Sequence, residues 1–191
     1  MAILILGLIV FLGIHSVRIF ADSWRTRQIE RLGAGKWKGI YSLLSLVGFV
    51  LIIVGFGQAR VSTPMIWTPP LWTWHLTGMI NLVAFVLFIA AYVPRNGIKI
   101  KLKDPMILGV KTWAFAHLLS NGSLAGIVLF GSFLVWAILD FKSCRQRRVS
   151  PAAPPPISLI MTAVTVLVGL VAWGVFAMHL HQVLIGIRPF G

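Results

Sequence analysis

Only four of the 191 residues are acidic and only one, Cys144, is a cysteine. A single cysteine excludes an intrachain disulfide, a multi-cysteine metal site and the C-x-x-C-H attachment of a c-type haem. Asp22, Glu30, Asp104 and Asp140 are the only acids, and only Asp140 touches an apolar stretch, at its end. That scarcity argues against a carboxylate proton relay, a carboxylate-rich metal site and paired-carboxylate hydrolysis. No Gly-rich phosphate loop, no serine in a nucleophile elbow and no internal repeat occurs. Charged residues make up 11% of the chain, against roughly a quarter in an ordinary soluble domain.

What fills the chain instead is hydrocarbon. Apolar residues account for 58% and the mean hydropathy is +0.92, which excludes a water-soluble globule and indicates an all-α, polytopic membrane helical bundle. Charges and prolines divide the chain into six apolar stretches, near residues 2–20, 39–59, 71–94, 106–120, 123–140 and 156–182. The fourth is the shortest. Asn121-Gly122 reads as a tight turn between the fourth and fifth spans. One transmembrane domain over 1–191 is expected.

The formal charge is +13, and its placement is topological. Arg25, Arg27, Arg31, Lys36 and Lys38 precede the second span; Arg95, Lys99, Lys101 and Lys103 follow the third; Lys142, Arg145, Arg147 and Arg148 follow the fifth. Arg60 and Arg188 lie near the loops or terminus of the other side. The positive-inside rule then puts the basic loops in the cytoplasm and both termini on the outer, periplasmic side of a bacterial inner membrane. Lipid headgroups, not nucleic acid, are the partner of these loops. The first span has no basic n-region and no cleavage site, so it is read as a retained helix. Trp67, Trp72 and Trp74 around Pro69-Pro70 read as an interfacial belt. Ser150 to Pro156 reads as a stiff linker, and Gly122-Ser-Leu-Ala-Gly126 matches a small-xxx-small pattern.

Polar side chains in hydrocarbon are costly unless paired or used. The candidates are His15, Arg18, His75, Lys111, His117, His179 and His181. Two imidazoles facing each other in an apolar bundle suit axial ligation of haem iron. Helical rise sets His15 roughly 10 Å, and His117 roughly 16 Å, above the cytoplasmic edge, whereas His75, His179 and His181 fall near the outer surface. Gly109 and Ala114, on the His117 side of their helix, would leave room for a flat macrocycle. Arg18, three residues after His15, could hold a haem propionate. His181, with Ala177 and Gly174 beneath it, is the rival ligand; Lys111 would snorkel to the headgroups.

The segments Leu12-Gly-Ile-His15-Ser16-Val-Arg18, Pro105 to Gly122 with its Ala-His117-Leu-Leu-Ser-Asn121-Gly122, and His181 to Pro189 together resemble the NnrU family. These are multi-spanning inner-membrane proteins associated with nitrite and nitric oxide reduction. The plant ζ-carotene isomerase, in which two histidines hold a b-type haem, is similar to that family. The resemblance implies haem b held by His15 and His117. The isomerase has a cysteine at the position of Ala114, so thiolate ligand switching does not carry over, and Ser123 stands where an acid commonly follows the turn. Three functions follow from the resemblance. The first is a haem protein of nitrogen-oxide metabolism that binds nitric oxide or supports a membrane reductase. The second is a haem-dependent cis/trans isomerase of a carotenoid-like polyene. The third is a haem-free assembly scaffold.

Overall fold

A chain with this much apolar surface must satisfy its backbone hydrogen bonds internally, and helices do so within one segment. The computed structural model describes residues 1–147 and 155–189, and their regular structure is helical apart from one isolated bridge between Met65 and Ser123. In chain order the helices are α1 (Ala2–Phe20), α2 (Asp22–Leu32), α3 (Ala34–Ser62), α4 (Leu71–Tyr92), α5 (Gly97–Leu102), α6 (Pro105–Ser120), α7 (Leu124–Gln146) and α8 (Leu159–Val175). A π-turn, Phe176–Leu180, then leads into α9 (His181–Ile185). Five segments are long and apolar enough to cross a membrane: α1, α3, α4, α7 and Leu159–Ile185. The expected fourth span is α6, whose 16 residues rise roughly 24 Å. It packs between α4 and α7 as a full member of the bundle.

The helices form a row in which α3 lies on α1, α1 on α7, α7 on α6, α6 on α4 and α4 on α8. Glycine sets the closest of these approaches. A Cβ on Gly48 would collide with the backbone of Phe11, one on Gly55 with the backbone of Leu4, and one on Gly7 with that of Leu51 and Ile52. Three contacts spread along both helices let α1 and α3 run backbone to backbone, as small residues do in membrane bundles. Gly169 seats α8 against Val86 of α4 in the same way. A core of Leu4, Leu8, Ile52, Phe56, Ala59, Ala125, Leu129 and Phe130 fills the α1, α3 and α7 junction.

Two features depart from the sequence expectation. Gly122 and Gly126 do not mediate a helix crossing: Gly122 lies under the carbonyl of Trp67, and Gly126 faces Asn121 and Ser123 of its own turn. Gly122 O accepts from the amides of Ile66 (2.7 Å) and Trp67 (3.3 Å), and Leu124 N donates to Pro64 O (3.0 Å), so the α3–α4 loop is stapled to the α6–α7 turn. The stretch before the second span is also not a plain loop. It folds as the polar helix α2, and α3 begins at Ala34. Arg148 and the expected linker as far as Pro154 lie outside the described residues.

The ends of the bundle differ in charge. The basic end carries α2, α5 and the C-terminus of α7; the opposite end carries the N-terminus of α1, the α6–α7 turn and α9. At the basic end Asn96 caps α5, its Oδ1 accepting from Lys99 N at 2.7 Å, while Gly97 N donates to Thr162 Oγ1 at 2.8 Å and ties α5 to α8.

Candidate functional site

Three of the histidine candidates have Nδ1 against a backbone carbonyl. For His15 the partner is Phe11 O at 2.6 Å, for His117 it is Trp113 O at 2.9 Å, and for His181 it is Ile187 O at 2.7 Å. A carbonyl has no proton to give, so Nδ1–H donates in all three. In the neutral ring the lone pair then sits on Nε2. A carbonyl accepting from one ring nitrogen in this way orients the other nitrogen in metal-ligating histidines.

Aromatic rings wall both imidazoles of the α1, α6 and α7 seam. His15 stacks on Phe11 with centroids 4.3 Å apart, and Tyr41 (5.1 Å) and Trp136 (6.0 Å) meet it edge-on. His117 stacks on Phe130 at 4.6 Å and leans on Trp113 at 5.3 Å. The two shells are continuous, because Phe133 touches both Phe11 (5.7 Å) and Trp113 (5.4 Å). His15 therefore sits at the level of Trp136 and His117 at that of Phe130, six residues along α7, or about 9 Å. Helical rise along the sequence, roughly 10 Å for His15 and roughly 16 Å for His117, gives a smaller offset in the same direction. A metal shared by two imidazoles sits about 2 Å from each nitrogen, so sharing one requires Phe133 and Trp113 to turn aside.

His181 opens α9, and its ring meets Phe176 edge-on. It lies within electrostatic range of His117, and Ile185 of the same short helix packs on the central core. The π-turn before it, a device frequent at functional sites, sets Phe176 at 5.4 Å from Phe85 and 6.0 Å from His181. His75 and His179 are exposed. Lys111 Nζ stands over the ring of Phe141, near the basic end of α7, at 5.1 Å.

The room expected beside His117 is used differently. Ala114 is fully buried, and a Cβ at Gly109 would strike the Phe88 ring and approach Ala84 O at 3.2 Å. The small side of α6 thus packs on α4, where Thr77 Oγ1 also donates to Ala116 O at 2.8 Å. Open space lies on α7 instead: an apolar groove of about 520 Å³ runs between α1 and α7, lined among others by Leu12, Ser16, Gly131 and Trp136.

Arg18 is exposed at the basic end and within electrostatic range of Asp140. Its carbonyl accepts from Arg147 Nη1 at 2.6 Å, and Arg147 Nη2 stands 3.9 Å from Asp140 Oδ1. Sequence reasoning missed two residues near the imidazoles. Trp136 Nε1, beside His15, and Arg60 Nε and Nη1, at the opposite end of α3, are buried without a hydrogen-bond partner. Nothing in a linear sequence marks an unpartnered donor.

Among the described residues no three or more His, Cys, Asp or Glu side chains converge to hold a metal. A porphyrin brings four nitrogens of its own and asks only one or two imidazoles from the protein. Free Nε2 atoms, aromatic walls and unpartnered cationic N–H groups suit it. Comparison with curated proteins and with solved structures returned no match. The NnrU protein family model matches residues 3–189, nearly the whole length, and the chain therefore belongs to the NnrU family.

Proposed function

We propose that this protein is a b-type haem-binding protein of the bacterial inner membrane, with both termini outside, serving nitrogen-oxide metabolism. His117 is the primary ligand and His15 the second, with His181 competing for that place. The observation carrying this reading is the Nδ1 anchoring of His117 to Trp113 O, which leaves Nε2 free inside an aromatic shell. A bound haem, held by these imidazoles, would supply an iron centre for nitric oxide or an alkene. The protein's own part is to hold each ring by its carbonyl, exclude water with Phe130, let Phe133 and Trp113 turn aside where both imidazoles share the iron, and bind the acidic edge of the ligand.

Detergent-purified protein, expressed with adequate haem supply, should show a Soret band and a b-type pyridine haemochrome. His117→Ala should lose most of it, and His75→Ala should keep it. Comparison of His15→Ala with His181→Ala assigns the second ligand. Absence of stoichiometric haem in the unsubstituted protein would sink the proposal and favour a haem-free scaffold.

The groove between α1 and α7 favours a second reading, cis/trans isomerisation of a carotenoid-like polyene. It is apolar, and Trp136, which lines it, also walls His15. Isomerised product after incubating the reduced haem protein with cis polyenes would establish that activity. A nitric oxide-induced spectral change without conversion would leave gas binding or support of a reductase.

A further inference from the structure

Arg60 lies in the last turn of α3, one turn beyond Phe56, whose ring is 6.1 Å from Phe130, the ring stacked on His117. Its Nε and Nη1 are buried and have no partner. Gly186, with φ +76°, closes α9 directly over it, and a Cβ there would stand 3.2 Å from Arg60 Nη2. A guanidinium cannot shed its charge as an amine can. Arg60 as a whole is half-buried, and an anion at this end of the bundle would satisfy its two enclosed N–H groups.

The chain supplies no acidic side chain for that purpose. Asp22 and Glu30 lie on α2, Asp104 immediately precedes α6 and Asp140 stands near the end of α7, all toward the basic end. Arg18, in contrast, already has Asp140 within range. We propose that Arg60, not Arg18, binds a carboxylate of the ligand held by His117, namely a haem propionate. Planar carboxylates suit the fork of guanidinium N–H groups. The inference rests on the haem reading and adds to it the group that fixes which edge of the macrocycle points toward α9.

The test loads full-length protein, made under haem limitation, with haem or with its uncharged dimethyl ester. The protein carries an affinity tag after Gly191. The unsubstituted protein should bind the free acid at least tenfold more tightly than the diester. Arg60→Gln should abolish that preference while still binding the diester, Arg60→Lys should keep part of it, and Arg18→Gln should keep it whole. Because each variant is compared with itself on two ligands, a loss of folding is not mistaken for a loss of the contact. Equal preference in the unsubstituted protein and Arg60→Gln would overturn the role of Arg60 while leaving the haem reading intact. So would loss of co-purified phospholipid alone in Arg60→Gln, which would make lipid phosphate the anion. No Soret band with either ligand would overturn both.

Discussion

At the scale of the residue, scarcity made the histidines legible. An imidazole between leucines stands out in a sequence, and three of the five prove to be anchored through Nδ1. Arg60 was not legible, because a basic residue at a helix end reads as topology until its neighbours are known. Trp136 belongs with it: its indole N–H is buried without an acceptor, and an unsatisfied buried donor costs about 1–3 kcal/mol. Trp136→Phe keeps the ring edge against His15 and removes the donor. The ligand-free variant should therefore unfold at a higher temperature in detergent, by an amount worth about 1 kcal/mol. A clear fall in the midpoint would mean that the N–H does have a partner.

At the scale of the element, hydropathy found the long spans because their mean composition differs so strongly from the loops. It could not find α2 or α5. Each is polar or short, and helical periodicity in such segments is masked when the chain is divided at its charges. Nor could it tell which glycines matter, since the small-xxx-small match at Gly122 and Gly126 resembles a crossing motif but builds a turn. The glycines that seat helices, Gly7, Gly48 and Gly55, are distinguished only by the backbone each faces. Gly55→Ala should push α1 from α3 and destabilise by about 1–3 kcal/mol, the range for overpacking. Gly131→Ala, with nothing within 4 Å of the new Cβ, should be neutral or raise stability by up to about 1 kcal/mol through helix propensity. Thermal midpoints of the two variants, measured side by side in one detergent, check this. Equal losses at both positions would show that close approach is not what Gly55 provides.

At the scale of the whole molecule, the open question is parity. Five segments meet the length and hydropathy of a crossing, which alone would put the termini on opposite sides, while α6 lies alongside α4 and α7 through its length. We propose from the placement of the charges that α6 crosses. If α6 did not cross, the basic segment 95–103 and the basic end of α7 would face opposite sides of the membrane. With α6 crossing, both lie on one side with α2, as the positive-inside rule requires. At roughly 24 Å, α6 is a few ångströms short of a typical hydrocarbon core, and local bilayer thinning, or shielding by α4 and α7, can make up that difference. Alkaline phosphatase fused at either terminus should therefore be active outside, and Cys144 should resist an impermeant maleimide in intact spheroplasts and react after lysis. A cysteine placed at Thr63, in an otherwise cysteine-free background, should react before lysis. Opposite activities for the two terminal fusions would remove α6 from the crossing helices and with it the sixfold topology.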